Sequence, residues 1–198
     1  MNHWIQYKFR FNDDPVNPDW WMDLFLIDTA FRDIIEKHKP ELWRFHRRSG
    51  KDSVGHQLSL LCYMDKKKAE NIYHELVAHK SINKLAEYKH MNSSLLEIME
   101  PGIEKTSDAN WSESLQKSWP YFITGVCQMM MGILKNLPDE KELYKGVCIT
   151  AHGERYGISS YYSLLDRDIK EFFSDNAAHA FIHHISALFG YAPIKLRI

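Results

Sequence analysis

The chain has 198 residues, a formal net charge of −1, 44% apolar and 26% charged residues. That length suits one large domain or a domain with an extension, and its six Trp, ten Tyr and ten Phe supply a core without disulfide staples. Near-neutral charge excludes a global attraction to nucleic acid or anionic membrane, so any such partner needs a local patch.

Residues 4–11 alternate, with Ile5, Tyr7, Phe9 and Phe11 on one side and Trp4, Gln6, Lys8 and Arg10 on the other. This predicts a half-buried strand. Asn12-Asp13-Asp14-Pro15 and Asn17-Pro18 mark a loop, and Asp19 is placed to cap a helix that runs to the residues before Pro40. Two strands follow, over 42–48 and 56–64, joined by a link with turn residues at Ser49-Gly50 and Gly55. Asp65 then caps a second helix whose stripe is Ala69, Ile72, Tyr73, Leu76 and Val77. Residues 84–91 are taken as a fourth strand. The resulting order, β-α-β-β-α-β, is that of a ferredoxin-like sheet, and the fold class is α+β.

Beyond residue 100 the polar run EKTSDANWSES reads as a linker or irregular loop. A helix over 112–136, apolar almost all round in its second half, is expected to be buried, and Pro138 closes it. A helix over 139–150, a turn at HGERYGISS and an amphipathic stretch at YYSLLDRDIKEFF come next. Ser174 or Asp175 caps a last helix ending at Gly190, and the alternating tail IKLRI adds a strand. The chain thus divides into a ferredoxin-like half, 1–100, and a helical half, 101–198, packed on it as one compact unit, with dimer formation as a further possibility.

Cys62, Cys127 and Cys148 are isolated among apolar neighbours, which suits small buried hydrophobes better than disulfides or a zinc site. The N-terminus has no signal-peptide core, and the apolar run 120–134 is too short for a bilayer and contains Gln128. A soluble, cytoplasmic protein is expected. There is no phosphate-binding glycine loop, so no cofactor is implied. The strand GHQLSLLCY lacks the aromatics that stack bases in RNA-recognition modules, so nucleic acid is not an expected partner.

The chemistry-bearing residues concentrate on WRFHRRSGKDSVGH, residues 43–56. Parity puts Arg44, His46 and Arg48 on one side of the strand and Trp43, Phe45 and Arg47 on the other. If the aromatics face the helices, the free face collects Lys8, Arg10, Arg44, His46, Arg48, Gln57 and Ser59. Arginine forks bind carboxylate or phosphate, and a histidine beside them can move a proton near neutral pH. The plainer reading is a solvated polar face paired with the chain's own acids.

Two further groups stand out. Asp175, His179 and His183 share a helix face at i, i+4 and i+8, a spacing that suits a surface stripe better than a metal site lacking the His-Glu-x-x-His pattern. Cys127-Gln128-Met129-Met130-Met131 suits core packing, with an adaptable hydrophobic pocket as the alternative.

Trp43, Phe45 and Arg47, followed by Gly55-His56, resemble the aromatic-x-Phe-x-Arg…Gly-x-His pattern of the small elimination domain of lantibiotic dehydratases and thiopeptide-type biosynthesis proteins. Glu154-Arg155-Tyr156-Gly157 is similar to a second segment of that family. The strand after His56 reads Gln57-Leu58-Ser59-Leu60, where the family alternates arginines. The resemblance implies a ferredoxin-like sheet followed by helices, and elimination or ring formation on a precursor peptide. It makes Arg47 and His56 the catalytic positions, with Arg155 behind them. Two functions therefore stand side by side. One is a tailoring or peptide-binding protein in which Arg47 and Arg44 hold a carboxylate, His46 or His56 relays a proton, and Arg48, Lys8, Arg10 and Arg155 add ligand contacts. The other is a non-catalytic binding or assembly protein. A peptide or a small anion is the expected ligand in the first case.

Overall fold

In the computed structural model, residues 1–136, 154–174 and 178–188 are described. Four strands, β1 (His3–Phe11), β2 (Trp43–Arg48), β3 (Gln57–Met64) and β4 (Met91–Pro101), form one antiparallel sheet in the order β2-β3-β1-β4. With its helical crossovers this is the ferredoxin-like arrangement, and the mixed α+β class follows from it. The register sets Tyr7 beside Leu60 and Leu96, and Phe45 beside Leu60. Ile5, Tyr7, Phe9 and Leu58 are fully buried on this face.

Helices cover that face. The first is continuous through α1 (Trp21–Leu26), a π turn (Ile27–Phe31) and α2 (Arg32–His38). The extra residue of a π turn re-aims the stripe, and Ile27, Ala30, Phe31 and Ile34 all point into the core. Asp19 does not cap this helix. Trp20 is the N-cap residue without a side-chain bond, and the Asp19 N–H is itself held by Asp13 Oδ2 at 2.8 Å. Asp65 does cap α3 (Lys66–Val77), accepting from the Lys68 N–H at 2.9 Å.

Of residues 84–91, expected as a strand, only Met91 lies in one. His79 accepts from the Ser81 N–H and opens α4 (Lys80–Glu87), whose buried Ile82 and Leu85 have helical spacing. The fourth strand lies just beyond, where the edge position leaves Leu95 and Ile98 exposed and blurs the alternation. A 3-10 turn (Ile103–Thr106) follows, entered through Gly102 at φ 127, which a side chain would resist.

α5 (Glu113–Asn136) lies along the outer edge of β2. The Thr124 hydroxyl accepts from the Trp43 N–H at 3.1 Å and donates toward Trp43 O at 2.8 Å, which blunts that edge. Contrary to the all-round burial expected, only the stripe Pro120, Thr124, Cys127, Met131 and Leu134 is buried, because α5 meets the sheet on one side. The turn expected at 152–160 is also corrected: residues 154–160 already belong to α6 (Glu154–Phe172), with Gly157 buried inside the helix. α6 packs on α1, and Tyr162, Leu165 and Ile169 join the core of the N-terminal half. α7 (Ala178–Leu188) is the last described element. The predicted helix 139–150, the tail strand, Cys148, Asp175, Gly190 and the side chain of Arg155 lie outside the described residues. No described helix is long and apolar enough to cross a membrane.

Candidate functional site

β2 divides its cations between two environments. Arg47 points to the helix side with Trp43 and Phe45, and there it meets His56 through a shared carboxylate. His56 is 1% exposed. Its Nδ1 lies 2.7 Å from Asp13 Oδ2 and its Nε2 lies 2.9 Å from Asp23 Oδ2. Each ring nitrogen faces a carboxylate oxygen, an arrangement that favours the imidazolium, which donates from both nitrogens. Burial works against that charge, but the hydrogen bonds and charges of Asp23 and then Asp13 outweigh it and raise the His56 pKa.

Asp23, itself fully buried on α1, also faces Arg47 Nε at 3.4 Å. The other end of the guanidinium donates to Asp166 Oδ1 at 2.7 Å and to Trp20 O at 3.0 Å. Lys170 closes the chain on Asp166. The Trp20 ring lies against the network, 5.0 Å from the Arg47 guanidinium and edge-on to His56. Phe11 packs on the other side of the imidazole. Three carboxylates are thus matched by Arg47, Lys170 and the imidazolium. Asp13 Oδ1 and Asp23 Oδ1 are buried without a hydrogen-bond partner.

The opposite face of the sheet is arranged in rows by the register: Arg48, Gln57, Arg10 and Ser93; then His46, Ser59, Lys8 and Leu95; then Arg44, Leu61, Gln6 and Glu97. In the first two rows His46, Ser93 and Leu95 are exposed, Arg48, Arg10 and Lys8 half-buried, and Gln57 and Ser59 buried. From the third row onward, Leu61 makes a small second core with Trp4, Leu42 and Ile103 of the 3-10 turn, and Arg44 donates to Thr106 O at 3.2 Å. Gln6 and Gln57 both donate to Ser59 Oγ, which ties down the floor of the face. Lys8 pairs with Glu97 and Arg48 with Asp52. His46 is exposed, and its pKa is lowered by burial of its surroundings and then by the charges of Arg44 and Arg48. Among the described residues, neither Arg10 nor His46 has a hydrogen-bond or ion-pair partner.

The structure therefore joins Arg47 to His56, and separates both from Arg44, His46, Arg48, Lys8 and Arg10, which share the other face. A single carboxylate held by Arg47 and Arg44 together is ruled out by their opposite directions. Asp13, Trp20, Asp23 and Asp166, with the exposed Lys170 at its end, are members of the network that the sequence reading missed. One signal was available: Asp23 interrupts the apolar run WWMDLFL, and an acid there must find a partner. Cys62 and Cys127 are buried, and burial pushes both thiols up and away from reactivity. The His179 and His183 rings stack at 6.2 Å on the exposed side of α7. Among the described residues no group of three or more His, Cys, Asp or Glu side chains is placed to hold a metal.

No protein-family model matches the chain, and no curated protein matches it. Solved structures that align with the chain include an antibiotic biosynthesis monooxygenase, at 16% identity and TM-score 0.28, which covers 52% of this chain and 99% of its own. SnoaB, a cofactor-independent oxygenase from Streptomyces nogalater, aligns at 8% identity and TM-score 0.28 over 56% of this chain and 98% of its own. A hydantoinase/carbamoylase family amidase from Burkholderia ambifaria aligns at 8% identity and TM-score 0.29, over 62% of this chain and 33% of its own. Likeness at this level assigns no role to any residue.

Proposed function

We propose that this protein binds an acidic peptide across the uncovered face of its sheet, as a non-catalytic partner in peptide biosynthesis. The observation that carries this reading is the division of charge on β2. Arg47 and His56 are consumed by the chain's own carboxylates, whereas Arg10 and His46 have no such partner among the described residues and lie among Lys8, Arg44 and Arg48. Arg44, His46 and Arg48 alternate along one strand, so the outer two stand roughly 13 Å apart. An extended peptide with carboxylates on alternate residues matches that spacing, which a small anion cannot bridge. Bidentate arginine contacts supply the charge recognition.

Isothermal titration with a hexapeptide bearing Glu at alternate positions tests this, with the matching Gln peptide as control. The Glu peptide binds more tightly, its affinity falls with added salt, and Arg10→Ala with Arg48→Ala weakens it at least tenfold. Equal binding of the two peptides, or an unchanged affinity in the double variant, overturns the reading.

A second reading is favoured by one contact: Arg47 and His56, the two positions implied by the resemblance to elimination domains, share Asp23. In it, His56 would exchange a proton with a substrate admitted beside Trp20. Loss of peptide binding in Arg47→Lys, with Arg10→Ala and Arg48→Ala neutral, would support this alternative.

A further inference from the structure

We propose that α5 is the dimer seam of this protein, pairing antiparallel with the same helix of a second copy about a two-fold axis near Gly125. Its buried stripe has an opposite number. Leu115, Trp119, Phe122, Val126 and Met129 recur at spacings of four and three; Phe122, Val126 and Met129 each follow a buried residue by two and so lie on the far side of the helix, and Leu115 and Trp119, the latter edge-on to Trp111, carry the same spacing toward its start. Leu115 is 47%, Phe122 43% and Met129 42% exposed. A period of 3.5 residues is what keeps an apolar stripe facing a partner helix along its whole length.

The flank of this stripe carries the second observation. Ser118, Gly125 and Gly132 recur every seven residues along it. Glycine weakens a helix interior, yet neither glycine has a positive φ, and a Cβ built on either meets nothing within 4 Å. Among the described residues, then, nothing accounts for their small size. Close approach of a second backbone does.

The pattern is self-complementary in one orientation. In an antiparallel pair each flank faces its own copy, so an axis at Gly125 sets Gly125 against Gly125 and Ser118 against Gly132. The same axis brings Phe122 near Val126 and Trp119 near Met129, large against smaller on each side. A parallel pair would instead set the glycines against Ile123 and Met130. Twenty-four residues make a helix about 36 Å long. Such a pair has room for the roughly 600 Å² per copy at the low end of stable interfaces, and Leu115, Phe122 and Met129 already expose roughly 250 Å² of it.

Sedimentation velocity of the full chain at 5–100 µM tests the seam, and a dimer is expected. Gly125→Gln should raise the dimer dissociation constant at least tenfold while leaving the monomer's melting temperature unchanged or higher, since the added side chain meets nothing in its own chain. The orientation is read by disulfide trapping. In a Cys148→Ser background, Ser118→Cys with Gly132→Cys gives a reducible dimer, and neither single variant does. A monomer at 100 µM, a Gly125→Gln protein that remains dimeric, or trapping by the single variants overturns the proposal. Peptide binding at the sheet face is measured separately, so the two readings fail independently.

Discussion

Arg47 and Arg48 are neighbours in the chain, and they live in different solvents. Arg47 lies under α1 and α6, ion-paired to Asp23 and Asp166. Arg48 points to the uncovered face and pairs with Asp52, four residues on along the same link. The contrast teaches that a cationic strand is not one feature. A half-turn of pleat decides whether a charge must be matched inside the fold or remains available to a partner.

Breaking the buried side has the largest expected effect. Arg47→Met leaves Asp23 and Asp166 in place without their shared cation, a loss of about 3–5 kcal/mol, or a fall in melting temperature of about 10 °C. Arg44→Met on the other face loses one bond to a carbonyl and costs about 1 kcal/mol. Urea titrations of the two variants side by side check this, and equal losses would erase the distinction.

The same network makes stability depend on pH. The folded pKa of His56 is raised, so its stabilising contribution is complete below the unfolded value near 6.5 and is lost as pH rises through the folded value. Chemical denaturation from pH 6 to pH 9 should therefore show wild-type stability declining, with this component of the decline missing in His56→Gln. A parallel decline in the variant would assign the effect to other groups.

On the uncovered face the expected effects concern charge rather than stability. The His46 pKa is lowered, by burial first and then by Arg44 and Arg48. An NMR titration of the imidazole should show it rising in Arg48→Ala and rising further when an acidic peptide binds, since both changes remove uncompensated positive charge. Smallest of all, Asp52→Asn should leave the melting temperature unchanged, because its pair with Arg48 is solvent-exposed.

Much of this contrast was legible beforehand. Strict alternation in β1 and β2 assigned Lys8, Arg10, Arg44, His46 and Arg48 to one face and Arg47 to the other, because a strand's period of two leaves no choice once one side is apolar. α4 and β4 were not legible. KLAEYKHM supports either period over eight residues, and the choice for helix comes from Ile82 and Leu85 finding the core. The all-round apolar character of α5 was read as burial, although a helix on the edge of a two-layer fold has only one side to bury.

By itself the sequence determined β1, the first helix, β2, β3 and α3 in order, the parity of β1 and β2 and hence the division of cations between two faces, since these follow from local periodicity and turn chemistry. Only the tertiary structure decided which acids close on Arg47 and His56. Asp13 and Asp23 lie 43 and 33 residues from His56, and Asp166 lies 119 residues from Arg47; they meet because a fully desolvated imidazole and a nearly buried guanidinium require carboxylates from whichever elements pack against them.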